Sequence, residues 1–157
     1  MGDAFGQDFF LREGLTGNWG GVRGQWAEAG FVPYAVYIQE FMGNASGGIQ
    51  TGSVWNGLLD FGFEADMEKL AGVPGGSFFM NAFYAYGNKL SDNYVGDFNG
   101  ISNIATATDF NVFNIFYLQQ FGDIGYLKLG QMAADEDFMV SETASLFMNG
   151  AFGALPV

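Results

Sequence analysis

The sequence predicts an all-β fold of antiparallel strands, and three observations point to it. The stretch VWNGLLDFGFEADM, Val54 to Met67, alternates with a period of two. Its odd positions are Trp55, Gly57, Leu59, Phe61, Phe63, Ala65 and Met67; its even positions are Asn56, Leu58, Asp60, Gly62, Glu64 and Asp66. That period belongs to a strand with one apolar and one acidic face. The composition agrees: 25 Gly beside 18 Phe, 7 Tyr and 3 Trp suit strands joined by tight turns rather than a helical bundle. The alternation is also long. From Trp55 to Met67, at about 3.3 Å per residue, it covers roughly 40 Å, whereas a typical soluble strand has about 5–6 residues.

The elements follow in chain order. In LTGNWGGVRGQWAEAG, the residues Trp19, Val22, Trp26 and Ala29 recur at helical spacing, with Asn18 placed to cap the start and Gly30 to end it. Gly20, Gly21 and Gly24 each weaken that helix by about 1 kcal/mol relative to Ala, so it needs tertiary support. Phe31 to Met42 reads as the first strand, with Pro33 near its beginning, where proline is tolerated. GNASGGIQTGS is a loop. The alternating stretch is the second strand and ends at the turn signal EKLAGVPGG. SFFMNAFYAYG is the third strand, FNVFNIFYLQQ the fourth and DIGYLKLGQM the fifth. A long polar loop, NKLSDNYVGDFNGISNIATATD, joins the third strand to the fourth, and a short FGD turn joins the last two. After Met132 the period is lost.

Two environments suit such strands. In a soluble sandwich the apolar face packs under a second sheet; in a membrane barrel it meets lipid and the acids line a watery lumen. Long loops (43–53 and 88–108) alternate with short turns (69–76 and 121–123), the segregation seen in outer-membrane barrels. Tilted by about 40°, a strand of this length rises about 30 Å, enough for an apolar band near 25 Å. Trp55, Tyr84 and Tyr86 sit where an aromatic girdle belongs. The uncharged run Leu70 to Asn88 contains Pro74 and several glycines and makes a poor membrane helix. The exposure of Phe61 and Phe63 separates the two environments.

Several functions are excluded by composition. The chain has no Cys and no His, which removes disulfides, thiolate metal sites and the usual serine, cysteine and zinc hydrolases. Its net charge is −12, with 5 Lys and Arg, which opposes nucleic-acid binding and a polybasic lipid patch. No cofactor and no metal is called for. The opening MGDAFGQDFF lacks the basic and apolar regions of a secretory signal, so the protein is cytosolic or a signal has been removed.

LTGNWGGVRGQWAEAGF, Leu15 to Phe31, resembles the N-terminal signature of the carbohydrate-selective porins of the bacterial outer membrane (OprB type). LKLGQMAADEDFMVSETASLFMNGAFG, Leu127 to Gly153, resembles the same family over a longer stretch, and GLLDFGFEADMEKLAGVPG and NYVGDFNGISNI resemble family segments in the right order. The resemblance implies a transmembrane β-barrel of sixteen strands, of which about five are present here as the N-terminal third, with a short helix near the periplasmic mouth. It implies one partial domain over 1–157: an N-terminal segment and helix (1–30), barrel strands (31–132) and a segment that folds inward and narrows the pore (133–157). It implies passive, selective diffusion of small neutral sugars across the outer membrane of a Gram-negative bacterium, without enzymatic activity. The partners are outer-membrane lipid, no nucleic acid, and the remainder of the porin chain needed to close the barrel.

With the odd face of the second strand toward lipid, Asp60, Glu64 and Asp66 point into the lumen, because lipid-facing carboxylates are costly. In the third strand Phe79, Asn81 and Phe83 point inward. In the fourth, Phe116 and Leu118 are expected outward and Tyr117 and Gln119 inward. In the fifth, Leu127 and Leu129 point out and Lys128 in. Carboxylates and amides pair with sugar hydroxyls, and aromatic rings take the CH-rich faces. The plain alternative is that these side chains only solvate and pack the lumen. In ADED, Asp135, Glu136 and Asp137 would repel anions at the narrowest point; the spacing is not that of a calcium loop, and a solvated acidic loop is the simpler reading. The competing function is a soluble all-β carbohydrate-binding module or a carboxylate-based glycosidase. Asp60 and Glu64 lie about 13 Å apart along one strand, too far to act as a pair there.

Overall fold

The computed structural model of the protein describes residues 14–105 and 108–133, with Phe138 and Met148. Two short α-helices and five strands follow in order, with a π-helical turn (Ser91–Val95) between the third and fourth strands: α1 (Val22–Glu28), β1 (Phe31–Asn44), β2 (Gly52–Asp66), α2 (Met67–Ala71), β3 (Gly76–Tyr86), β4 (Asp109–Gln120) and β5 (Tyr126–Gln131). The strands form one antiparallel sheet in the order β1-β2-β3-β4-β5, each paired with its sequence neighbour. At 14, 15, 11 and 12 residues, β1 to β4 are about twice as long as ordinary soluble strands.

The register sorts every side chain onto one of two faces, because directly opposed residues share a face. Phe61 lies opposite Ala35 and Ala82, and Phe63 opposite Pro33 and Met80. Asp60 lies opposite Val36 and Phe83, and Gly62 opposite Tyr34 and Asn81. The odd residues of β1 and β2 thus share an apolar face with the even residues of β3. Aromatic pairs knit this face: Phe41–Trp55 at 4.6 Å, Phe31–Phe63 at 5.1 Å and Phe63–Phe78 at 5.9 Å. No second sheet covers it among the described residues. Phe61 is 36% exposed and Trp55 60%, while Phe63 is half-buried. A sandwich core is therefore not what these rings build.

A bulge changes the parity of β4. Asn81 faces Asn114 while the next residue, Ala82, faces Val112, which leaves Phe113 as the extra residue. On the short-turn side of the bulge, Ile115, Tyr117 and Gln119 lie on the apolar face; beyond it, Val112 and Phe110 do. The expected assignment of β4 is therefore reversed. Phe116 lies opposite Phe79, and Leu118 opposite Ser77 and Lys128, on the acid-bearing face. Tyr117 and Gln119 lie opposite Phe78 and Leu127 respectively, on the apolar face. The sequence misled because FNVFNIFYLQQ has large apolar residues at both parities, so partner and bulge decide the register.

The two ends of the sheet differ as the loop lengths predicted. At the short-turn end, Asp66 caps α2, its Oδ1 accepting from the Glu68 and Lys69 N–H groups at 3.0 and 3.2 Å. The expected N-terminal helix is present but short. A 3₁₀ turn (Trp19–Gly21) with Gly20 and Gly21 at positive φ precedes α1, which ends at Gly30 (φ 96°). Trp26 docks edge-on against Phe31 at 5.9 Å, which places α1 at the short-turn rim. At the other end the two long loops lock together. The Tyr94 carbonyl accepts from the Ile49 and Gln50 N–H groups at 2.8 and 3.1 Å and from Asn44 Nδ2 at 3.2 Å.

Candidate functional site

The acid-bearing face is where chemistry-bearing side chains gather. Across its middle runs a continuous polar row. The Tyr34 hydroxyl and Asn81 Nδ2 both donate to Asp60 Oδ1, at 3.3 and 3.1 Å. Asn81 Oδ1 accepts the Asn114 backbone N–H at 3.0 Å, and Asn114 Oδ1 accepts the Ala133 N–H at 2.9 Å. Asn114 is fully buried and Asn81 is buried. The row exists because β1, β2, β3 and β4 bring Tyr34, Gly62, Asn81 and Asn114 side by side, with Asp60 next to them on β2.

Toward the short-turn end the same face becomes aromatic. Tyr34 and Phe79 lie within 15° of parallel at 6.3 Å, and Phe79 and Phe116 are 5.3 Å apart. Lys128 Nζ sits 5.2 Å from the Phe116 ring centroid, within cation–π reach. Glu64, opposite Phe79, is exposed. On the long-loop side of the polar row, Phe83 stacks on the bulged Phe113 at 4.5 Å.

Toward the long-loop end the face is covered. Asn56 Nδ2 donates to Glu40 Oε1 at 2.9 Å, and Asn56 Oδ1 accepts the Asn88 N–H at 3.0 Å. Asn56 is fully buried and Glu40 is 8% exposed. The Tyr94 ring occupies the space a side chain at position 52 would take, and Gly52 lies on this face, opposite Asn44. The loop between β3 and β4 thus folds over the outer part of the acid-bearing face. It contributes the buried Leu90 and Ser91, and the Ile101 N–H donates to Ser91 Oγ at 3.0 Å. From sequence this loop is simply polar and long.

Of the residues expected here, Asp60, Glu64, Phe79, Asn81, Phe83 and Lys128 share the acid-bearing face. Asp66 is on it too, but its carboxylate caps α2 and lies 3.9 Å from Lys69 Nζ. Tyr117 and Gln119 are not part of the site. The Tyr117 hydroxyl donates to Gln119 Oε1 at 2.7 Å, and Gln119 Nε2 donates to the Pro74 carbonyl at 2.9 Å, so the pair ties β4 to the β2–β3 turn. Asp135, Glu136 and Asp137 lie outside the described residues. Glu40, Asn56, Tyr34 and Asn114 went unread as site residues. For Tyr34 and Glu40 the signal was parity with Asp60 once β1 is paired to β2.

No described helix is long and apolar enough to cross a membrane. No group of metal-ligating side chains occurs among the described residues.

Two solved structures share this fold. The high-pH structure of Pseudomonas putida OprB superposes with a TM-score of 0.83 at 23% identity, over 90% of this chain and 36% of that one. The low-pH structure of the same protein gives a TM-score of 0.62 at 18% identity, over 79% of this chain and 40% of that one. The chain thus spans well under half the length of the solved proteins it matches. A comparison with curated protein sequences gives no match. The family described as "Carbohydrate-selective porin, OprB family" matches residues 53–157, more than half of the chain. The open, two-faced sheet of long strands is what a part of such a barrel looks like, and the chain belongs to the OprB family of carbohydrate-selective porins.

Proposed function

We propose that this chain forms part of the wall of an outer-membrane channel for passive diffusion of small neutral sugars, with the acid-bearing face toward the lumen and the apolar face toward lipid. The observation that carries this is the segregation of the two faces. Asp60, Glu64, Asn81, Asn114 and Lys128 lie on one, while Leu59, Phe61, Phe63, Met80, Ile115 and Leu129 lie on the other. A bilayer tolerates carboxylates only on the watery side. Membership of a carbohydrate-selective family supports sugars as the solutes.

The reading needs further strands. Five cannot close a barrel, since single-chain bacterial barrels have at least eight, so β1 and β5 would meet strands beyond this sheet. In the lumen, Asp60 and Asn81 offer hydrogen-bond acceptors and donors to sugar hydroxyls, and the rings of Tyr34 and Phe79 offer apolar surface to the sugar's CH face. Such contacts must stay weak so that the solute leaves as readily as it enters. No bond is made or broken, so neither a catalytic group nor a cofactor is required.

Liposome swelling of the full-length protein tests this. Vesicles carrying it should swell in an iso-osmotic neutral monosaccharide much faster than protein-free vesicles. They should swell more slowly in an amino-acid zwitterion of similar size. Swelling no faster than in empty vesicles would sink the proposal.

A further inference from the structure

We propose that α1 and the 3₁₀ turn before it form an interfacial anchor. They lie in the headgroup layer of the periplasmic leaflet, with Trp19, Val22 and Trp26 turned to phospholipid, and fix the level at which β1 enters the membrane. This rests on the reading of the apolar face as the lipid face.

α1 lacks what a short helix needs to stand alone. It has 7 residues, with Gly24 inside it, no side-chain cap at its start and no buried residue. Isolated helices shorter than about 12 residues are marginal in water. The turn before it also holds an unfavourable shape. Gly17, Trp19, Gly20 and Gly21 all have positive φ, and Trp19, at 50°, is the one residue other than glycine to do so among those described. That shape sets the Trp19 ring edge-on to Trp26 at 5.9 Å and beneath Arg23, whose Cζ lies 5.5 Å from the ring centroid. The Arg23 guanidinium also donates to the Gly17 carbonyl at 3.2 Å. Val22 and Trp26 stand one turn apart on the same side of α1. Trp19, Val22 and Trp26 thus gather on one side, and all three are exposed.

Two observations choose a bilayer surface as what covers them. The first is continuity. Trp19, Trp26, Phe31, Phe63 and Phe78 form an unbroken series of ring contacts, at 5.9, 5.9, 5.1 and 5.9 Å, from the helix onto the apolar face of the sheet. A helix whose rings run on into the lipid face meets the same medium. The second is depth. Phe31 lies four residues along β1 from Ala35, the partner of Phe61. That is about 13 Å of strand and, at a tilt of about 40°, roughly 10 Å of height, close to half of an apolar band of about 25 Å. With Phe61 near mid-bilayer, α1 sits where hydrocarbon gives way to headgroups. The residue types suit that level: indole has an apolar body and a polar N–H, and arginine binds phosphate. Short turns of bacterial barrels face the periplasm, which makes this the periplasmic leaflet.

Fluorescence of a bimane label in the full-length protein, reconstituted in vesicles of phosphatidylethanolamine and phosphatidylcholine, tests this. The label is attached to a single cysteine in Val22→Cys, Glu28→Cys or Phe61→Cys; this chain has no cysteine of its own. Glu28 is exposed and lies around the helix from Val22 and Trp26. Phospholipid brominated near the headgroup end of its chains should lower emission at position 22 by about twofold or more, while aqueous iodide should do so at position 28. Iodide quenching at 22 as strong as at 28, or quenching at 22 by neither reagent, overturns the proposal; the second result would mean that protein covers the helix. Position 61 reports separately on the lipid face, through phospholipid brominated deep in its chains. Lipid quenching at 61 but not at 22 leaves the channel reading standing and fails the anchor alone; lipid quenching at neither position fails both.

Discussion

Phe61→Arg in the full-length protein should lower the unfolding free energy in lipid vesicles by up to about 2–4 kcal/mol, the cost of a cation on the lipid side near mid-bilayer. Glu64→Arg should change it by less than about 1 kcal/mol, as expected for an exposed site facing water. The two positions are three residues apart on β2 and differ in face. Phe61 lies between Ala35 and Ala82 on the apolar side, and Glu64 lies between Val32 and Phe79 on the other. Glu64 is the better comparison than Asp60, because Asp60 holds Tyr34 and Asn81 and its loss would carry a hydrogen-bond penalty of its own. Urea unfolding of both variants in vesicles checks this, and equal losses would refute the assigned orientation.

Gly62→Val should cost at least the roughly 1–3 kcal/mol of an overpacked site, and the more so because the obstruction is backbone. A Cβ at position 62 would collide with the Met80 carbonyl oxygen and come within 2.9 Å of Asn81 Cα. Main chain in mid-strand cannot rotate away as a side chain can. The strand that must give way carries Asn81, the link between Asp60 and Asn114. The variant should therefore fold less stably. A variant as stable as the unaltered protein, by the same urea assay, would mean that β2 and β3 do not approach this closely at Gly62.

How much of this was legible varies along the chain. The faces of β2 could be read directly, because Leu59, Phe61 and Phe63 alternate with Asp60 and Glu64, and a slip of one residue would invert them all. β3 followed, since Asn81 marks the polar parity. β4 was misread: Phe113, Ile115, Phe116, Tyr117 and Leu118 give no clean period, and the bulge at Phe113 switches parity within the strand. No local rule places that bulge. β1 is apolar on both faces, with Val36 and Ile38 on the same side as Asp60, so its only polar cues there, Tyr34 and Glu40, acquire meaning through pairing with β2. Asp66 looked like a lumen carboxylate because it ends an acidic alternation. The five-residue helix that follows claims it as a cap. Loop lengths were readable, but that the β3–β4 loop lies over Asn56 and Glu40 depends on contacts far apart in sequence: Asn88 with Asn56, and Tyr94 with Gly52.

The central claim is that one face of this sheet meets water and the other lipid. Because the protein lacks cysteine, a single-cysteine scan of residues 58–64 in the full-length chain reconstituted in vesicles tests it most directly. A membrane-impermeant thiol reagent should label positions 58, 60 and 64 and spare 59, 61 and 63, with a lipid-soluble reagent giving the opposite pattern; position 62 stays glycine, because a Cβ there meets the Met80 carbonyl oxygen. Labelling without a period of two, or with the odd positions reactive to the impermeant reagent, would contradict it.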